Sequence, residues 1–280
     1  MKNLFLFLFL LVVFTSKAQD NRVSGLNSRQ FTKYWKVESE SPDYKVTFQG
    51  DTAEIVSPKG LTLWRKEKMS GKVTIEYDAC VVVESDGDRL SDLNCFWMAS
   101  DPQYPDNLWK REKWRSGIFL NCYSLQLYYL GYGGNHNSTT RFRRYDGDES
   151  GITNPKARPA ILKEYTDAGH LLKPNHWYHI KITNENNRVS YYIDGERLVD
   201  FRDAEPLREG WFGFRTTLSR TRITNFSYEC SSQEAAAVPL QWIGETPRQD
   251  KAVSFGVPFD KGEVFPEKIG IRRKEMQSST

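Results

Sequence analysis

The stretch WYHIKITNENNRVSYYIDGERLVDF (177–201) constrains the fold more than any other part of the chain. It reads as a strand, an Asn-rich turn, a second strand, an Asp-Gly turn and a third strand, which is an antiparallel meander. The same vocabulary recurs in VTIEYDACVVV (73–83), NCFWMA (94–99), GIFLNC (117–122), LQLYYLG (125–131), TTRFRRYD (139–146), GWFGFRTT (210–217) and TRITNFSYE (221–229). Each run is rich in β-branched and aromatic residues, and Gly, Asn, Asp and Pro clusters separate them. Many short strands with almost no helix predict an all-β, two-sheet antiparallel sandwich or jelly roll. The 280 residues allow one large domain, or a medium domain plus an appendage. With 8 Trp, 14 Tyr and 16 Phe, the chain can build both a core and stacking surfaces for a ligand.

MKNLFLFLFLLVVFTSKAQ opens with a lysine and an apolar run that ends in the small-x-small pattern Ser16-Lys17-Ala18. It reads as a secretory signal peptide over residues 1–18, with a mature start near Gln19 or Asp20. No cysteine follows the run, which argues against a lipid anchor. The expected location is secreted or periplasmic, with no membrane attachment after cleavage. A formal net charge of +3 is too small to argue for nucleic acid, so any positive field must be local.

Four cysteines allow three pairings. Cys80, Cys95 and Cys122 sit among Val, Phe, Leu and Tyr, where a thiol behaves as a small core hydrophobe, so buried free thiols are favoured over a bridge. No zinc spacing is present, and His170, His176 and His179 lack the spacing of a metal site.

GLTLWRKEKMSGKVTIEYD, RLSDLNCFWMASDP, GGNHNSTTRFRRYDG, LLKPNHWYHIKI and GWFGFRTT together resemble concanavalin A-like lectin/glucanase domains. More narrowly, they resemble an uncharacterised secreted family associated with bacterial polysaccharide-degrading enzymes. The resemblance covers about residues 25–230. It implies a jelly roll over 19–230, carbohydrate work, no cofactor, and room for the structural Ca²⁺ that such sandwiches often carry. SSQEAAA (231–237) reads as a linker. The following VPLQWIGETPRQDKAVSFGVPFDKGEVF resembles the opening of the N-terminal barrel module of exo-acting rhamnogalacturonan lyases. Residues 238–280 are too few to bury a core alone, and are expected to be a truncated module or a C-terminal extension. A separately encoded lyase is the partner this implies.

Strand parity divides the side chains. Arg141, Arg143 and Tyr145 share one face of TTRFRRYD, and Phe142 the other. Trp211, Arg215 and Thr217 oppose Phe212 and Phe214. Gln126 and Tyr128 oppose Leu127 and Tyr129. Asp92 and Asn94 oppose Leu93, Cys95 and Trp97. In a jelly roll the polar set can line the concave sheet. With Arg89 at the strand start and Asn135, His136 and Asn137 on the GYGGNHNSTT loop, it suits an acidic, uronate-containing glycan: guanidinium forks bind carboxylates and rings stack on sugar faces. The competing reading pairs Arg141, Arg143 and Arg144 with acids such as Asp146 and Asp148 on a solvated surface. For Asp92, a buried pair with an arginine stands beside a general base.

Glu76-Tyr77-Asp78 begins the paired-carboxylate pattern of retaining glycoside hydrolases but lacks the final acid, so that route is not expected. A polysaccharide lyase must neutralise a uronate, remove the adjacent ring proton and protonate the leaving oxygen. Asn94, Tyr128, His136 and Tyr145 are the catalytic candidates for that route, alongside the arginines. Two functions follow: an acidic-polysaccharide-binding accessory module, or a jelly-roll lyase cleaving such a glycan by β-elimination. A surface adhesion module is a third.

Overall fold

The structure, a computed structural model, describes residues 23–231. The proposed leader and the 238–280 module lie outside the described residues. So does the linker apart from Ser231, which still pairs with Lys72. The strands are β1 (Val23–Ser24), β2 (Trp35–Ser39), β3 (Lys45–Gln49), β4 (Thr52–Arg65), β5 (Met69–Ser70), β6 (Lys72–Val81) and β7 (Leu93–Ser100). They continue with β8 (Gln126–Gly133), β9 (Thr139–Asp146), β10 (Lys163–Tyr165), β11 (Tyr178–Glu185), β12 (Arg188–Ile193), β13 (Glu196–Arg202) and β14 (Glu209–Ser231). The 177–201 meander is present as β11, β12 and β13, antiparallel throughout.

Two long strands hold the sandwich together. β14 pairs with β7 and the second half of β4 over 211–217, then with the first half of β4 and with β6 over 219–231. Its register breaks at Leu218, whose φ is +48°, opposite the Pro58–Lys59 step of β4. Proline has no N–H to give a ladder, so the crease falls where pairing is already interrupted. The front layer therefore runs β2-β4-β14-β7-β8-β9-β10, and the back layer runs β3-β4-β14-β6-β11-β12-β13. GWFGFRTT and TRITNFSYE, expected as two strands, are two halves of one.

The layers meet over an aromatic core. Trp97 of the front packs 6.0 Å from Tyr191 of the back, and Phe214 stands 4.9 Å from Tyr77. Phe142 and Phe212 face the same core, as parity requires. Cys80, Cys95 and Cys122 are buried, Cys230 is half-buried, and all four thiols are free.

GIFLNC is a correction. Ser116 and Gly117 adopt left-handed backbone (φ +49° and +70°), which ends any extended run, and Leu120–Ser124 forms a 3-10 turn instead. These residues belong to a cap, 101–125, that folds over the outer face of the front layer. Leu108, Cys122, Tyr123 and Leu125 of the cap pack on Trp64, Phe96, Leu127, Tyr145 and Trp211, making a second hydrophobic cluster. Only part of that outer face remains open.

Candidate functional site

One row of side chains crosses the front layer. Glu38, Thr62, Arg215, Asn94, Gly131, Arg141 and Glu164 are directly opposed in successive strands, from β2 to β10. Opposed residues point to the same face, so this row forms a polar band beside the capped aromatic cluster. Gly131 lies in its middle. A Cβ there would come 2.2 Å from the Tyr129 hydroxyl, so the missing side chain lets the Tyr129 ring lie over the strand. The result is a groove of about 370 Å³.

Arg89, Asp92, Asn94, Asn135, His136, Arg141, Arg143 and Arg215 line it, all anticipated from the sequence. Asp92 is an organiser. Its Oδ2 accepts from Arg89 Nη1 at 2.8 Å and from Ser91 Oγ at 2.9 Å, and its Oδ1 accepts from Asn94 Nδ2 at 3.2 Å. Arg89 also donates to the Thr217 carbonyl at 3.0 Å. The carboxylate is thus used in fixing its neighbours, which is the buried Asp–Arg pair and not a free base.

The arginine cluster divides. Arg141 Nε donates to Glu164 Oε1 at 2.5 Å. Arg144 lies on the other face and meets Asp203 at 2.8 Å and Asp146. Arg143 donates to the carbonyl of Pro159. Arg215, only 3% exposed, donates to the Gly117 carbonyl at 2.6 Å and to Thr62 Oγ1 at 3.5 Å, beside the Phe119 ring. Among the described residues, neither Arg143 nor Arg215 has a carboxylate within 4.0 Å. The surface-pairing reading therefore holds for Arg144 and Arg141, with Asp148 taking no part, and fails for Arg143 and Arg215.

Four anticipated residues sit elsewhere, and Asn137 acts from behind the groove. Tyr128 is in the core between the layers; its hydroxyl donates to Asp203 at 2.7 Å and accepts from Leu207 N–H at 3.1 Å. Both faces of β8 are buried, so alternation there offers no polar face to read, and the groove receives Tyr129. Tyr145 and Trp211 share the groove's side of the sheet but lie under the cap, where Trp211 Nε1 donates to the Lys66 carbonyl. Gln126 starts β8, opposite Asp146, beyond the cluster. Asn137 clasps Leu172, its Oδ1 accepting at 2.8 Å and its Nδ2 donating at 2.9 Å.

Glu40, Phe119, Tyr123 and Tyr129 complete the walls without having been anticipated. The cap brings Phe119 and Tyr123 in, and no local pattern could have signalled that. Burial pushes the Tyr123 and Tyr129 phenols up, so both stay protonated at neutral pH. His136 is exposed on its loop. Glu76 and Asp78 are remote on the outer face of the back layer, where Glu76 meets Lys181 and Asp78 meets His179. Among the described residues no three His, Cys, Asp or Glu side chains converge as metal ligands. Among them, too, no helix is long and apolar enough to cross a membrane.

The model of a domain of unknown function, DUF6250, matches residues 55–226, which include both layers and most of the groove. The chain belongs to the DUF6250 family. A Bacillus subtilis protein of unknown function with a galectin-like fold is similar in structure, with a TM-score of 0.57 at 15% identity over 72% of this chain and 91% of that one. The carbohydrate binding module CBM66 from Bacillus subtilis gives 0.47 at 16% identity over 70% and 94%. The exoplasmic/lumenal domain of VIP36 in its Ca²⁺/Man3GlcNAc-bound form gives 0.49 at 8% identity over 77% and 90%. The galectin-like likeness shows the fold of this DUF6250 member, an antiparallel lectin-like sandwich. Comparison with curated proteins gives no sequence match.

Proposed function

We propose that this domain is a carbohydrate-binding module whose front groove takes an acidic, uronate-containing glycan outside the cytoplasm, in the course of polysaccharide degradation. One observation carries the reading: Arg143 and Arg215 present guanidinium charge to the groove while hydrogen-bonded only to uncharged oxygens. Arg143 is half-buried and Arg215 buried, so a carboxylate bound between them would gain charge-assisted hydrogen bonds that a neutral sugar oxygen does not. Arg215 and Arg141 stand three strand spacings apart, about 14 Å at about 4.8 Å per strand, a span that suits a short oligosaccharide lying across the strands. Phe119, Tyr123 and Tyr129 offer ring faces along the same wall.

Binding is favoured over β-elimination because the Tyr123 and Tyr129 phenols are held protonated and the Asp92 carboxylate is committed to Arg89, Ser91 and Asn94. The test is calorimetric binding of oligogalacturonate, with ultraviolet absorbance followed for unsaturated products. Binding without turnover is expected. Arg141→Ala combined with Arg143→Ala should weaken it at least about a hundredfold while the protein still melts cooperatively, since each lost charged hydrogen bond costs about 1.5–3 kcal/mol. Unchanged affinity in that variant overturns the reading.

A further inference from the structure

His170 bridges two carboxylates behind the groove. Its Nδ1 lies 2.7 and 2.8 Å from the Asp167 oxygens, and its Nε2 lies 3.3 Å from Glu196 Oε1. A neutral imidazole has one N–H, so only the imidazolium donates to both partners. The ring stacks on Tyr165 of β10 at 4.1 Å, and its backbone is tied to the groove loop. The His170 carbonyl accepts from Thr140 Oγ1 at 2.6 Å, and that oxygen accepts from Gly133 N–H at 3.2 Å. Two residues later, Leu172 is clasped by Asn137. The 170–172 segment therefore holds both ends of the loop that carries Asn135 and His136, a loop in which residues 135, 136 and 137 all have left-handed backbone (φ +56°, +59° and +56°).

We propose that His170 is a pH-operated clasp for the groove. Resting on the acidic-glycan reading for its consequence, the clasp works as follows. The imidazolium ties the 167–172 segment to β13 through Glu196, and Thr140 and Asn137 pass that restraint to the start of β9 and to the 135–137 loop. Loss of one proton removes the imidazole's donation to one of the two carboxylates, and the loop is less firmly held. The charged and titratable groups around the ring are few. Asp167 comes from its own loop and Glu196 from β13, while Lys163 lies 5.0 Å from the same Tyr165 ring. Lys173, His176, Asp194 and the Tyr132 and Tyr178 phenols share its pocket. The carboxylates decide the sign: acid tightens the clasp.

Amide hydrogen exchange of residues 133–140, expressed as protection factors at about pH 5.5 and about pH 7.5, reads the clasp without any ligand. Protection in the full chain should fall at least about fivefold at the higher pH, the lower end of ordinary couplings between sites. It should be level in His170→Gln. Equal protection at both pH values in the unaltered protein overturns the proposal. Should His170→Gln not fold, Glu196→Gln removes one exposed partner and must flatten the same profile; an unchanged profile there also overturns it. In parallel, oligogalacturonate should bind more tightly at the lower pH, and still do so in His136→Asn, which lacks the groove's own imidazole. Equal affinity at the two pH values sinks the clasp even where binding stands. A pH-dependent loop with no binding at either pH keeps the clasp and sinks the acidic-glycan reading.

Discussion

Arg215 donates from Nη1 to the carbonyl oxygen of Gly117 across 2.6 Å, and the cap reaches that position because residue 117 has no side chain. Its φ is +70°, and a Cβ would stand 2.7 Å from Ser39 Cα and 2.8 Å from Glu40 N. Backbone atoms cannot rotate away. Gly117→Ala should therefore destabilise the domain by about 1–3 kcal/mol and weaken oligogalacturonate binding together, because the strain displaces the Arg215 partner. Thermal melting and calorimetry on one preparation check both.

The cap is pinned by a buried ion pair. Arg115, fully buried, donates to Glu38 at 3.1 Å and to the Leu108 carbonyl at 2.6 Å, and lies 3.6 Å from Asp101. Burial pushes the Glu38 carboxyl up, against the pull of Arg115. Arg115→Leu leaves Glu38 and Asp101 facing a partner lost, and should cost about 3–5 kcal/mol in denaturant unfolding. Glu38→Gln keeps the shape and should cost less.

Tyr128 separates core from groove. Removing its hydroxyl in Tyr128→Phe takes away the donor to Asp203 and the acceptor of the Leu207 N–H, for about 1–3 kcal/mol of stability. Glycan affinity should not change. A large loss of affinity with little loss of stability would return Tyr128 to the site.

The thiols should report burial. Cys95 and Cys122 are pushed up to about 12 by burial, and Cys80 and Cys230 are raised as well. Native protein at pH about 8 should react with an alkylating reagent first at Cys230, the half-buried one, and at Cys95 and Cys122 only on unfolding. Mass spectrometry of partially labelled protein gives the order.

Stability should fall at both ends of the pH scale, for opposite reasons. Partial burial works against charge on His170, yet its hydrogen bonds to Asp167 and Glu196 outweigh this and raise it. That contribution is complete below the unfolded value of about 6.5 and is lost as pH rises through the raised folded value. Glu54 has the other sign: desolvation opposes its charge, but Arg220 and Arg222 hold it below the ordinary range. Its contribution is present above about 4.3 and lost as pH falls through the lowered value. Tm measured across pH should fall less steeply on the alkaline side in His170→Gln and less steeply on the acid side in Glu54→Gln, where Glu67 and Asp200 are also held low and still contribute.

Much of this was legible in the residues. The 177–201 meander announces itself because its strands are rich in β-branched and aromatic residues, β11 has one wet and one dry face, and its turns carry Asn, Asp and Gly. TTRFRRYD places Arg141 and Arg143 opposite Phe142 for the same reason. KVTFQ (45–49) and TAEIVS (52–57) alternate too, but the first is an edge strand with no residue fully buried and Pro58 interrupts β4, so composition alone marks them weakly as strands. GIFLNC has strand composition but a left-handed entry.

By itself, then, the order of residues determined an antiparallel sandwich, the parity of its strands and the gathering of Asn94, Arg141, Arg143 and Arg215 on one face. These follow from period-two geometry, which acts over a few neighbours. Which part of that face stays open was decided only in three dimensions. The cap comes from between two adjacent strands, buries Tyr145 and Trp211, and packs Phe119 beside the buried Arg215 while giving it the Gly117 carbonyl. No local pattern encodes that choice, because it depends on contacts such as Gly117 with Gly60 and Ser39 that are remote in the chain and meet only once both layers are folded.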